Sequence, residues 1–217
     1  MTLDVVRLAP IEESPLPAGG FRRWLAAMSG ALRSDGSSDV PCGDCTACCE
    51  GSYFIHLRSS DGGALARIPA ALLFPAPGAG PGDRLMGYDG QGRCPMLRGG
   101  ACAIYEDRPI TCRTYDCRIF AATGLAEPGP EKARIMIRAG RWRFDYEDEA
   151  ERRLHEDLRA AAWALVRARE ALSDVLPGTA TQLAMLVVRL HEELLAGNAV
   201  MGDERWLRKF REAAARL

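Results

Sequence analysis

The stretch "PCGDCTACCEG", residues 41–51, carries four cysteines, Cys42, Cys45, Cys48 and Cys49, within eight positions. Thiols this close serve as disulfide partners, as a catalytic thiol or as metal ligands, and the choice decides how the surrounding chain folds. Four more follow downstream. The full spacing is Cys42-x2-Cys45-x2-Cys48-Cys49, a gap of 44 residues, then Cys94-x7-Cys102-x9-Cys112-x4-Cys117.

Length and composition narrow the choice. With 217 residues, 47% of them hydrophobic and 26% charged, the chain is long enough to bury a sizeable core without covalent staples. The opening residues MTLDVVRLAPIEESPLPAGG lack a basic start and an unbroken apolar run, so no secretory signal is expected. No run of about 18 apolar residues offers a membrane span. A cytoplasmic setting is therefore expected, where thiols are kept reduced. The net charge of −1 gives no reason to expect nucleic acid or membrane as a partner.

The compartment, the chain length and the vicinal Cys48-Cys49 pair all weigh against a disulfide framework. Cys42-x2-Cys45 follows a polar linker, without the strand-to-helix context that lowers a redox thiol's pKa. Metal ligation fits better. A Cys-x-x-Cys turn brings two thiolates onto one ion while its backbone amides donate to the sulfurs, and Gly43 and Gly51 relax the chain there. The downstream half has rigid punctuation in Cys94-Pro95, Gly99-Gly100 and Pro109. Arg93, Arg98, Arg108, Arg113 and Arg118 stand beside these cysteines and offset thiolate charge, or are surface arginines.

Geometry constrains the ligand grouping. If Pro109 starts a helix, Cys112 and Cys117 lie about 140° apart around its axis. Around tetrahedral zinc, sulfurs at about 2.3 Å from the metal lie within about 3.8 Å of one another. Either the helix ends before Cys117, or the two thiols serve different centres or a larger cluster. Eight thiolates fill two four-cysteine zinc sites, or hold one iron–sulfur cluster with four to spare; the ferredoxin run's x3-Cys-Pro continuation is absent. His155 and His191 read as surface or capping residues and His56 as an outer-sphere candidate. Asp44, Glu50, Asp107 and Asp116 form no recognisable acid–base pair.

The remaining chain divides by pattern. Residues 1–40 hold an amphipathic helix, with Phe21, Trp24, Leu25, Met28 and Leu32 at helical spacing, and a turn-rich linker. Residues 41–120 form the irregular cysteine module, with a strand at 53–58 and a loop at 75–83. Residues 121–147 are expected to form a β-hairpin connection: 134–146, RIMIRAGRWRFDY, reads as two alternating strands around Ala139-Gly140. In that register Ile137 faces Trp142 and Ile135 faces Phe144, with Arg134, Arg138, Arg141 and Arg143 on a solvated face.

Residues 148–217 are helical. One stripe runs through Leu154, Leu158, Ala161, Leu165 and Leu172, ended by Pro177-Gly178. Thr179 and Gln182 form a capping box before Leu183, Leu186, Leu190 and Leu194, and Gly197-Asn198 is a stop. Asp203 caps a third helix carrying Trp206, Phe210 and Leu217. A helix-turn-helix reader of DNA is disfavoured, because the last helix is charge-balanced. Packing, a protein partner or a homodimer through these helices is expected instead.

The CxxCxxCC run, Cys94-Pro95-Met96-Leu97 and GACAIYEDRPITCRTYDC at residues 100–117 resemble the YkgJ-type cysteine-cluster family. Tyr105, Arg108-Pro109 and Cys112-Arg113 share in the resemblance. It implies a zinc- or iron-chelating module over residues 42 to about 120, with kinship to flagellin lysine methylases that carry a similar cluster. No glycine-rich strand-to-helix motif for a methyl donor is present.

The expected fold is α+β and α-rich: an irregular cysteine-ligated metal module with small β-hairpins, packed against a C-terminal helical region. Its ligand candidates are Cys42, Cys45, Cys48, Cys49, Cys94, Cys102, Cys112 and Cys117. Zinc is the expected ion, in a mainly structural role; iron or a [4Fe-4S] cluster, with redox or methylase-related activity, is the alternative.

Overall fold

A computed structural model describes residues 4–34, 38, 40, 43–196 and 200–216. The expectations placed on Cys42, Gly197, Asn198 and Leu217 lie outside the described residues. The fold is α+β, with helices dominating and strands gathered in two- and three-stranded sheets. The chain divides into two compact units, Met1–Arg33 with Cys117–Pro128 and Met136–Leu217, and Ser34–Asp116 with Gly129–Ile135.

The first unit is built on apolar stripes that the sequence spaces helically. In the helix Phe21–Ser34 the side chains of Phe21, Trp24, Leu25 and Met28 are buried, each contributing about 1.5–3 kcal/mol through lost contact with water. The long helix Glu149–Arg167 buries Leu158, Ala161 and Leu165, and Leu172 is buried in the turns that follow. Asp148 caps the long helix through the Glu151 amide. Thr179 caps Ala180–Arg189 through the Gln182 amide, and Asp203 caps Glu204–Ala214 through the Trp206 amide at 2.7 Å. The chain itself buries Trp206 and Phe210, so their stripe is already occupied.

Glu151 is buried in this unit and accepts from the backbone N–H groups of Arg22, at 2.5 Å, and Glu147, at 2.6 Å. It thereby satisfies an open amide in the first turn of Phe21–Ser34. Those two amides, Arg22 first, hold its carboxyl below the usual range.

The second unit is less regular. Ile55–Leu57, Arg84–Met86 and Leu73–Pro75 form an antiparallel sheet with Arg84–Met86 in the centre, pairing Ile55 and Leu73 with Met86. Its small core joins Leu57, Ala64, Ile68, Met86, Met96 and Ile104, and Cys94 and Cys102 pack against it half-buried.

Residues 134–146 depart from the expected hairpin. Ala133–Arg141 is an α-helix, and Trp142–Asp145 pairs in parallel with Leu16–Gly20, Leu16 opposite Trp142. The same residues satisfy a helical period: Ile135 and Ala139 stand at i and i+4 of this helix and are both buried. Ile137, expected to face Trp142, is 53% exposed. Alternation over so few residues does not distinguish the two periods, and burial of the i, i+4 pair goes with the helix.

Candidate metal centre

Four separate segments of the second unit supply cysteines. Cys48 and Cys49 lie on the single 3₁₀ turn Ala47–Glu50, whose entry is closed by the Cys49 amide donating to Thr46 O at 2.8 Å. Thr46 Oγ1 donates to Glu50 at 2.6 Å, and Arg134 pairs with the same carboxylate at 2.6 Å. The Cys94 amide donates to the Cys49 carbonyl at 2.7 Å, tying the upstream cysteines to the downstream ones. Cys102 sits on a tight hairpin of Leu97–Arg98 with Ala101–Cys102. Gly99 and Gly100 turn that hairpin with φ of 57° and 80°, conformations that favour glycine.

Cys112 rides on the helix Ile110–Thr114. Buried Asp61 accepts from the Ile110 amide at 2.8 Å, and Thr111 Oγ1 donates to the His56 carbonyl at 2.7 Å, fixing this helix to the sheet. The helix ends at Tyr115 and Cys117 precedes the next one, Arg118–Thr123, so the two cysteines do not share a helix. Cys117 belongs to the first unit, where Trp142 Nε1 donates to its sulfur at 3.2 Å. None of the seven described cysteines is in a disulfide.

The thiols weigh on one another. Burial, followed by the charges of Cys48, Cys94 and Cys102, pushes Cys112 up to about 12, and Arg108 pulls weakly the other way. Burial also raises Cys94, as do Cys102 and Cys48, while the Met96 and Leu97 amides directed at its sulfur oppose the rise. Cys48 is raised first by its hydrogen bond with Cys49 and then by lost hydration. A cluster of this kind stays protonated at neutral pH, and several thiolates coexist in it once a cation stands among them. Sulfur-only donors with amides aimed at one of them suit zinc or iron. Among the described residues, no three histidine, cysteine, aspartate or glutamate side chains stand in a ready-made cage.

The other candidates have structural partners. Arg93 pairs with Asp89 at 3.2 Å, Arg113 lies 3.7 Å from Asp61, and buried Arg118 donates to Ala18 O at 3.1 Å. The Arg108 guanidinium lies 3.6 Å over the Tyr105 ring and its Nε donates to Tyr105 O at 2.8 Å. Asp107 pairs with Arg67 at 2.8 Å, and buried Asp116 accepts from Ser38 at 2.8 Å. Asp44 is exposed. His56 Nε2 lies 3.2 Å from Asp83. His191 Nδ1 stands 2.8 Å from Val188 O, near the end of Ala180–Arg189.

His155 is a correction to the surface reading: it is buried, stacked on Phe21 with ring centres 4.3 Å apart. The rings of Phe144 and Tyr146 also lie against it, at 5.5 and 5.9 Å between centres, surroundings that a charge-rich local sequence conceals. Asp61 and Lys132 also escape a sequence reading. Asp61 acts 49 residues from its partner Ile110, and Lys132, one of only two lysines, donates to the Gly51 and Ser52 carbonyls beside the cluster and lies 3.7 Å over the Tyr53 ring.

Residues 41–128 match the CxxCxxCC family model, described as "Putative zinc- or iron-chelating domain". The matched residues take in all eight cysteines, and both flanks lie outside the match. No curated protein and no solved structure shows significant similarity to the chain. Among the described residues, no helix is long and apolar enough to cross a membrane.

Proposed function

We propose that the protein chelates zinc through cysteine thiolates of the CxxCxxCC domain, and that the metal mainly holds together a segment too irregular to bury an adequate core. The ligands are drawn from Cys42, Cys45, Cys48, Cys49, Cys94, Cys102, Cys112 and Cys117, with a reducing cytoplasm keeping them available. The observation that carries this reading is that half-buried Cys112 lies within electrostatic reach of Cys48, Cys94 and Cys102, thiols contributed by four segments of chain. Backbone amides aimed at Cys94 support the same reading, since they stabilise a thiolate. A bound ion neutralises these thiolates and cross-links their segments, coupling metal binding to folding.

Elemental analysis of anaerobically purified protein, with its visible spectrum, tests the proposal. Zinc in a colourless sample is expected; iron with sulfide and a brown absorbance assigns the centre to redox or radical chemistry instead. Cys45→Ser and Cys112→Ser are each expected to lower metal content and melting temperature, and unchanged stoichiometry and melting in both overturns cysteine chelation.

A further inference from the structure

The first unit contains a cleft of about 320 Å³ lined by no cysteine. Its charged side chains are Arg143, Arg152 and Arg159, with no carboxylate among the lining residues. Arg152, His155 and Arg159 stand at i, i+3 and i+7 of Glu149–Arg167 and so present one stripe to the cleft. Leu8, Pro10 and Ala139 supply apolar wall.

The arginines differ in how they are engaged. Arg143 is held by the Ile11 and Gly140 carbonyls, each at 2.8 Å, and by Glu12 at 3.1 Å. Arg152 lies 4.6 Å over the Tyr146 ring, with Glu149 at 3.5 Å. Arg159 has no carboxylate partner among the described residues, and its side chain lies along the backbone of Gly124. A Cβ at Gly124 would stand 2.9 Å from Arg159 Nε, and its φ of +69° favours glycine in any case. The Tyr146 hydroxyl is positioned by His155 Nδ1 at 2.8 Å, while His155 Nε2 donates to Ala121 O at 3.3 Å. With its proton on Nε2 and none on Nδ1, this imidazole is neutral and adds no charge to the cleft.

We propose that this cleft binds a small organic anion, a carboxylate or phosphate monoester whose head meets the guanidinium groups of Arg159 and Arg152 and whose apolar body lies on Leu8 and Pro10. The fork of guanidinium donors matches both oxyanion heads, and such charge-assisted bonds are stronger than neutral ones. A neutral ligand would cover Arg159 and leave its charge without a partner.

Calorimetric titration of the full chain with phenyl phosphate and with benzoate tests this. Saturable one-to-one binding of at least one probe is expected, weakened at least about tenfold in Arg159→Gln and in Arg152→Gln, with no binding of benzyl alcohol and no change in metal content. Both arginines are exposed, so the melting temperature of each variant should hold. Absence of binding by both probes, or undiminished binding in Arg159→Gln, overturns the site. Inorganic phosphate binding as tightly as phenyl phosphate overturns the apolar part of the assignment. Independently of any variant, the amide resonances of Gly124, Gly140 and Tyr146 should move during a titration of the unaltered protein, and shifts confined to other residues overturn the proposal.

Discussion

The Trp142 indole N–H donates to the Cys117 sulfur at 3.2 Å. Trp142 is buried on a strand paired with Leu16–Gly20, so this donor is fixed by the fold. An N–H directed at sulfur draws electron density from a thiolate and changes its behaviour as a ligand. Trp142→Phe is expected to cost about 1–3 kcal/mol in urea unfolding through the lost bond and the space left behind. In cobalt-substituted protein it should also move the sulfur-to-cobalt absorption band to longer wavelength. An unchanged band would take Cys117 out of the ligand set.

Asp61 governs where Cys112 stands. Its carboxylate accepts from the Ile110 amide at 2.8 Å and the Arg58 amide at 2.9 Å, joining the start of the Cys112 helix to the turn after Ile55–Leu57. Asp61→Asn retains the shape and removes two charge-assisted bonds. A loss of about 1–3 kcal/mol in urea unfolding is expected, together with faster maleimide labelling of Cys112 in the metal-free protein. Labelling at the unaltered rate would show that the cap does not position this cysteine.

The sequence discloses local features much better than distant ones. Thr179 and Asp203 are legible as caps because their partners lie three residues away, and the stripe at Phe21, Trp24, Leu25 and Met28 reads directly as a buried helical face. The cysteines announce the donor chemistry of the proposed centre. The support around them is invisible in sequence, since the Asp61 bond to Ile110 and the Lys132 bond to Gly51 depend on residues brought together by folding. Residues 134–146 fail for another reason: their alternating pattern also fits a helix that buries Ile135 and Ala139, and tertiary burial decides between the two.

Metal uptake should release protons. Cys48, Cys94 and Cys112 are all raised above the ordinary thiol value, Cys112 to about 12, so they enter any complex from the protonated form at neutral pH. Zinc titrated into metal-free protein in weak buffer should release about one proton per cysteine ligand, and apparent affinity should rise with pH across the neutral range. Cys94→Ser should reduce the proton count by about one. Zinc binding without proton release would exclude these thiols as ligands.

His155 makes the first unit sensitive to mild acid. Burial lowers its folded-state pKa to about 4 from the ordinary histidine value of 6.5, so the unfolded chain takes up a proton at a pH where the folded chain does not. Its contribution is therefore complete above about pH 6.5 and declines as the pH falls towards 4. Between pH 7 and pH 5 the loss is about 2 kcal/mol, before Glu151, whose depressed carboxyl matters only below about pH 4.5, begins to count. His155→Gln keeps a donor and an acceptor for Ala121 and Tyr146 while removing the titration. The variant should be less stable at pH 7, because the stacking on Phe21 is lost, and its urea midpoint should fall less between pH 7 and pH 5 than that of the unaltered protein. Comparing the two proteins cancels the titration of the cysteines, which is common to both. Parallel pH profiles would mean that His155 is protonated alike in the folded and unfolded chain, and the buried neutral imidazole would have to be abandoned.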